Sequence, residues 1–236
     1  MSAAADDALV ALREEALVAN LALPAHGLVT LTWGNVSVID RERGLVAIKP
    51  SGVSYDAMTA DDIAVLELDG TQVAGSRRPS TDTPTHLALY RAFAGIGGVV
   101  HTHSTCATAW AQAGREIPLL GTTHADLSPH PVPVTRALTA EEISAGYEQA
   151  TGAVLIEAVG ARGAAEIPAV LVRGHAPFCW GSSAAAAVDN AVTLEAVARM
   201  ALLTSLLDPA APVLDEAVRD KHFERKHGPG AYYGQI

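Results

Sequence analysis

The sequence predicts an α/β fold with a largely antiparallel central sheet. Three observations carry this: short strands meeting across tight turns, helices with recognisable caps after them, and enough apolar residues for one core. With 236 residues, 49% of them hydrophobic, the chain suits one full-sized core, and residues 1–236 are expected to form a single domain. Residues 5–23 place Leu9, Leu12, Ala16, Leu17 and Leu21 at helical spacing ahead of Pro24 and Gly27, which predicts an opening amphipathic helix. Val36 and Val38, then Val46 and Ile48, alternate around Asp40-Arg41-Glu42-Arg43-Gly44, and residues 63–68 and 71–73 flank Asp69-Gly70; both read as hairpins. Asp82 or Thr83 can cap a helix with Pro84 in its first turn, and Thr139 with Glu142 forms a capping box. Residues 97–103 and 169–173 read as buried strands, and 183–206 and 215–227 as helices, the last closed by Gly228.

Composition excludes several classes. The formal charge of −10 comes without the clustered Lys and Arg of a nucleic-acid or acidic-membrane footprint, so neither partner is expected. No stretch resembling a signal peptide opens the chain and no run of about 18 apolar residues was found in it, which predicts a cytoplasmic location. Cys106 and Cys179 match no zinc or redox spacing and read as small buried thiols rather than a disulfide framework.

The sharpest local signal is histidine. His101 and His103 follow the apolar run Gly97-Gly98-Val99-Val100. Residues i and i+2 of a strand face one side, so both imidazoles can converge on one ion. His175 follows the next apolar run, residues 170–172, through Arg173 and Gly174. Three imidazoles at neighbouring strand ends leave a coordination position for substrate, as catalytic zinc sites do. Asp82 can cap its helix or reach a metal. Ser51 and Gly52, within Lys49-Pro50-Ser51-Gly52-Val53, offer hydroxyl and backbone donors to an anion or simply form a turn. Asn35, in Trp33-Gly34-Asn35, can donate to phosphate oxygens or stabilise a turn.

Residues 28–37 (Leu-Val-Thr-Leu-Thr-Trp-Gly-Asn-Val-Ser), Lys49 to Val53, Asp82-Thr83-Pro84-Thr85-His86, His101-Thr102-His103-Ser104, Gly121-Thr122-Thr123-His124-Ala125-Asp126 and Ala231-Tyr232-Tyr233-Gly234-Gln235 together resemble the class II sugar-phosphate aldolase and epimerase family. The 121–126 and 231–235 blocks point to its epimerase branch. The resemblance implies an α/β/α layered fold, a homotetramer with active sites between subunits, and one divalent ion per chain, Zn2+ by preference with Mn2+ or Co2+ as alternatives. By matching motif it implies His101, His103, His175 and Asp82 as metal ligands, and Asn35, Lys49, Ser51, Gly52, Ser80 and Thr81 as the phosphate pocket. Asp126 and Tyr233 would be the proton-transfer pair, Tyr233 coming from a neighbouring subunit; Thr122, Glu148, His222 and Arg225 match further positions around the site. Three stretches depart from the pattern: Thr81 replaces a serine but keeps the hydroxyl, and Leu127 to His130 and Arg173-Gly174 differ from the expected residues.

The implied reaction interconverts L-ribulose 5-phosphate and D-xylulose 5-phosphate. The C4 proton of a 2-ketopentose is not adjacent to the carbonyl, so simple deprotonation does not invert that centre. Transient oxidation needs a nicotinamide, and no G-x-G-x-x-G follows a strand here, so no NAD is expected. Retro-aldol cleavage between C3 and C4 remains, with a divalent ion as Lewis acid for the enediolate, a base for the C4 hydroxyl proton and a donor on the opposite face. The neighbouring readings are a class II aldolase that releases both fragments, an epimerase of a pathway supplying L-xylulose 5-phosphate, and a non-catalytic sugar-phosphate-binding assembly.

Overall fold

A computed structural model describes residues 3–234, so Gln235 of the C-terminal motif lies outside the described residues. One seven-stranded sheet has the order β4-β3-β2-β1-β5-β7-β6, from β1 (Asn35–Asp40), β2 (Leu45–Ile48), β3 (Ala64–Glu67), β4 (Gln72–Ala74), β5 (Gly98–His101), β6 (Ala169–Leu171) and β7 (Pro177–Gly181). Every neighbouring pair of strands is antiparallel. Among the described residues seven α-helices accompany it: α1 (Ala3–Ala25), α2 (Thr83–Ala92), α3 (Thr105–Ala113), α4 (Thr122–Leu127), α5 (Ala140–Val159), α6 (Ala184–Leu207) and α7 (Glu216–His227).

The layers follow from the two-residue alternation of the strands. Val36, Ala47, Val100 and Cys179 pack in one core with residues of α1, α3 and α6. Val46, Val99, Phe178 and Trp180 face the other way, onto Leu87, Leu89 and Tyr90 of α2 and Leu155 and Val159 of α5. The result is the α/β/α layering that the resemblance implied.

Several elements differ from their sequence expectation. α1 runs through Pro24 to Ala25, because a proline in the last turn removes a single helical bond; His26 and Leu28 N–H then donate to the carbonyls of Ala22 and Leu23 at 3.0 Å, with Gly27 at φ 68°. Asp82 occupies the N-cap position of α2 without a side-chain capping bond. Thr139 does form the expected capping box. Gly228 ends α7 at an ordinary φ of −74°, so its value there is closeness: a Cβ would stand 2.7 Å from the Glu224 carbonyl oxygen.

β7 was not anticipated. Pro177 at its first residue and Gly181 at its last obscure a five-residue strand whose centre, Phe178-Cys179-Trp180, is fully buried. α6 is long and apolar enough to cross a bilayer by length and composition alone, although Asp189, Glu195 and Arg199 interrupt any continuous apolar run. It instead lays Ala184, Ala187, Val188, Ala191 and Leu194 into the core.

α6 comes close to the sheet because glycines stand beneath its first turn. A Cβ on Gly98 would lie 2.6 Å from the Ala184 Cα, and one on Gly181 would lie 2.7 Å from the Ala187 nitrogen. Gly98→Ala is therefore expected to cost about 1–3 kcal/mol through overpacking, read as a lower urea midpoint at unchanged slope. Gly95→Ala, where a Cβ meets open space, is the control and should leave the midpoint in place.

Candidate active site

The site is assembled where the centre strands end. In the antiparallel register of β1 and β5, Asn35 is opposite His101, and in that of β5 and β7, His101 is opposite Phe178. The His101 ring stacks on Phe178, with centroids 4.2 Å apart, and its Nδ1 lies 2.9 Å from the Pro177 carbonyl oxygen. A carbonyl only accepts, so Nδ1 carries the proton and Nε2 presents its lone pair. β5 ends at His101, so His103 is not a strand residue as the spacing suggested; the loop beyond the strand nonetheless brings its ring to the same place. His175 sits in the β6–β7 turn, closed by Val172 and Ala176, and β7 rather than β6 is the neighbour of β5.

The three rings converge through matching atoms. His103 Nε2 is 3.2 Å from His101 Nε2 and 3.2 Å from His175 Nε2. Bonds of about 2.0–2.1 Å to a tetrahedral ion put two ligand nitrogens about 3.3 Å apart, so the spacing and the neutral donor set fit a divalent ion of zinc's size. Burial, together with the charges of His101 and His103, lowers the pKa of His175 to about 4, and burial lowers that of His103 as well; both keep the lone-pair form at neutral pH.

These histidines share a cavity of about 480 Å³ with Asn35, Lys49, Ser51, Gly52, Ser80, Thr81 and Asp82. Thr32, Trp33, Gly34 and Pro50 complete its lining. The Asp82 carboxylate accepts from Asn35 Nδ2 at 2.7 Å. It is not one of the groups lying within 4.8 Å of one another, which are the three histidines. Burial alone would raise its pKa, but the neighbouring His101 and His86 rings and the Asn35 amide outweigh it and lower it. Asn35 Nδ2 also donates to Ser80 Oγ at 3.0 Å, while its Oδ1 is buried without a partner.

Lys49 is the cavity's cation. The residue is 2% exposed, and among the described residues its Nζ has only two long bonds, 3.3 Å to the Thr32 carbonyl and 3.4 Å to that of Pro50, with the Tyr55 ring 4.8 Å away. Burial pushes its pKa down. A buried ammonium without a carboxylate partner is costly, and an anion entering the cavity offsets that cost. Gly52, at φ 72° with open space where a Cβ would lie, leaves the rim of this pocket to backbone alone.

Asp126 and Tyr233 lie elsewhere on the chain; neither lines the cavity. Asp126, on α4, accepts from Arg225 Nε at 3.0 Å and Nη2 at 2.6 Å, and its Oδ1 is 3.2 Å from His222 Nδ1. Burial would raise its pKa; the Arg225 and His222 contacts prevail and lower it. The same Arg225 lies over the Tyr233 ring at 4.9 Å, with Lys226 Nζ at 4.5 Å, and its carbonyl accepts from both Tyr232 and Tyr233 N–H. So Asp126, His222, Arg225 and Tyr233 form one cluster of the same chain. Thr122 opens α4, and Glu148 lies on α5, where its carbonyl accepts from Thr85 Oγ1 at 2.7 Å. Sequence reasoning missed the Pro177 carbonyl, which no residue type announces, and Tyr147, whose hydroxyl is 3.3 Å from His175 Nδ1.

A sheet of this topology with an imidazole triad at its centre defines a class, and the sequence comparison agrees: the chain belongs to the class II aldolase family, residues 14–202 matching the Class II Aldolase and Adducin N-terminal domain. Class II aldolases depend on a divalent metal. The chain is 56% identical over 224 residues to L-ribulose-5-phosphate 4-epimerase UlaF of Salmonella paratyphi B, covering 95% of this chain and 98% of that protein. It is 55% identical, with the same coverage, to the protein of the same name from Salmonella typhi. Among solved structures, an L-fuculose 1-phosphate aldolase aligns with a TM-score of 0.77 at 25% identity, over 91% of this chain and 95% of that one.

The Asp126 cluster sets a pH dependence. With a folded pKa below its unfolded value, Asp126 contributes its stabilisation in full above the unfolded value near 3.8, and loses it as pH falls through the folded one. Asp126→Asn mimics that loss at neutral pH. Amide exchange across 216–234 should quicken, while exchange in β5 stays at the wild-type rate.

Proposed function

We propose that this protein is a metal-dependent L-ribulose-5-phosphate 4-epimerase, interconverting L-ribulose 5-phosphate and D-xylulose 5-phosphate. The single observation that carries the reading is a converging imidazole triad in one cavity with a buried lysine that has no carboxylate partner among the described residues, in a chain 56% identical to a protein of that name. Lys49, Asn35, Ser51, Gly52, Ser80 and Thr81 hold the 5-phosphate, the first by charge and the rest by hydrogen bonds. His101, His103 and His175 would hold the divalent ion, Zn2+ by preference, and Asp82, whose carboxylate accepts from Asn35 beside them, would be the fourth ligand. When bound, the ion supplies Lewis acidity to the C2 carbonyl and C3 hydroxyl oxygens.

In the chemistry, the C4 hydroxyl proton goes to a base as the C3–C4 bond breaks, and its electron pair stays with the C2–C3 fragment. The aldehyde turns, kept by the phosphate pocket, and the bond reforms on its other face while a donor returns a proton to the C4 oxygen. Asp126 and Tyr233 serve as this pair. Arg225 stands over the Tyr233 ring at 4.9 Å while its guanidinium holds Asp126, so one side chain orients both members of the pair. Because both groups lie away from the cavity of their own chain, the reading requires them to reach the cavity of a neighbour. The homotetramer implied by the family resemblance supplies that neighbour. Exposed Leu203, Leu206 and Leu207 at the end of α6 support an assembly. A charged sugar phosphate does not cross membranes unaided, which supports a cytoplasmic enzyme working where its substrate is made. The likeness to an aldolase of known structure favours a second reading, release of both fragments, which accumulating glycolaldehyde phosphate would reveal.

The direct test follows L-ribulose 5-phosphate conversion by the metal-loaded protein. Conversion without accumulated aldehyde is expected, and its abolition by chelation with the fold retained. Absence of conversion at full metal loading rejects the reading. Tyr233→Phe should lower kcat about 10²–10⁴-fold while keeping metal content. Mixed oligomers then locate the groups. Tyr233→Phe with His103→Ala subunits should recover activity, whereas Tyr233→Phe with Asp126→Asn should not, since both groups come from one chain. Recovery in the second mixture would place them on different chains.

A further inference from the structure

Resting on the metal-site reading, we infer that Tyr147 is a positioning residue for His175, fixing its proton on Nδ1 and its ring toward the ion through a hydrogen bond to the phenol oxygen. The two faces of the His175 ring environment lead to this. Its Nε2 is 3.2 Å from His103 Nε2, and its Nδ1 is 3.3 Å from the Tyr147 hydroxyl. An imidazole that gives its Nε2 lone pair to an ion must carry its proton on Nδ1. That N–H then donates to Tyr147 Oη. A ligand histidine commonly donates its second N–H to an acceptor that orients it; His101 has the Pro177 carbonyl in this role, and Tyr147 is the corresponding acceptor for His175.

The backbone is built to put the phenol there. α5 is broken at Gly146, whose φ of 157° and ψ of 101° are not helical, a conformation open mainly to glycine. Tyr147 begins the helical segment after the break, and its carbonyl is fixed by Thr151 Oγ1 at 2.8 Å. The turn carrying His175 needs this help. It leads out of β6 through Arg173 and Gly174, where Gly174 has φ 74° and its N–H donates to Ala111 O at 2.9 Å, so main chain is fixed on one side while the ring projects into the cavity. Tyr147 itself is 37% exposed, so removing its hydroxyl leaves the core intact.

The test is Zn2+ affinity of Tyr147→Phe, measured by competition with a chromophoric chelator. Binding about 10–100-fold weaker than wild type is expected, with the thermal midpoint of the metal-free protein unchanged. In zinc-loaded protein, proton NMR should show slowly exchanging imidazole N–H signals, one of which is lost in Tyr147→Phe. A merely structural role would move the metal-free midpoint and leave that signal. His103→Ala separates the two readings. If it loses zinc while Tyr147→Phe binds within twofold of wild type, the positioning role is overturned and the metal site stands. If His103→Ala binds zinc as wild type does, the metal-site reading itself fails.

Discussion

The antiparallel register at the C-terminal end of β5 is the constraint on which the rest of the site depends. That strand lies between β1 and β7, so its last residue, His101, has a neighbour on each side. Asn35 is set opposite it from β1 and Phe178 from β7, and those pairings determine everything within reach of the ring. A slip by one residue in either ladder would turn His101 to the other face of the sheet and separate the triad. The register is protected accordingly. Asn20 of α1 makes a two-way pair with the backbone of Val36, donating to its carbonyl at 2.9 Å and accepting from its N–H at 2.7 Å. At the other end of β5, the glycines under α6 admit no shift that would bring a side chain beneath the helix.

Around this fixed point the cavity is electrostatically incomplete. Lys49 is a buried cation with no carboxylate partner among the described residues, and burial holds the imidazoles of His103 and His175 in their lone-pair form. One half of the cavity thus favours an anion and the other a cation, about a scaffold in which Asn35 touches both Ser80 and Asp82. A phosphorylated sugar chelating a metal satisfies both halves at once, and binding energy of this kind can be spent on orientation at the reacting carbons.

Much of this was legible in the sequence, for identifiable reasons. The hairpins around Gly44 and Gly70 announced themselves because turn chemistry is local, and the Thr139 capping box because its partners are three residues apart. The histidine pair at 101 and 103 was legible through a periodicity, although the strand stops at His101 and the loop, not the pleat, completes the convergence. β7 was hidden because proline and glycine bracket it and its pairing partners are 77 to 83 residues earlier in β5. The same distance hid the Pro177 carbonyl, and no local pattern marks Tyr147 as a neighbour of His175. Asp82 read equally well as a cap or a ligand; its carboxylate makes no capping bond and is held by Asn35. The separation of Asp126 from the triad was equally invisible, since spacing along a chain carries no record of which elements end up lining a cavity.

The grip of Arg225 has a consequence for how such a protein can diversify. One guanidinium clasps Asp126, faces Tyr233 and belongs to the helix whose main chain fixes the tail, while the segment joining α6 to α7 is tied to the body by the Leu214 N–H bond to Leu119 at 2.9 Å. Residues 208–234 thus carry Tyr233 and the guanidinium partner of Asp126 on one continuous segment. Recombination at that joint would import a different terminal chemistry whole, while the imidazole triad and the anion pocket, encoded upstream, passed through unchanged. Selection could then explore new reactions on an old binding site, provided the incoming helix still brought a partner for the carboxylate of α4.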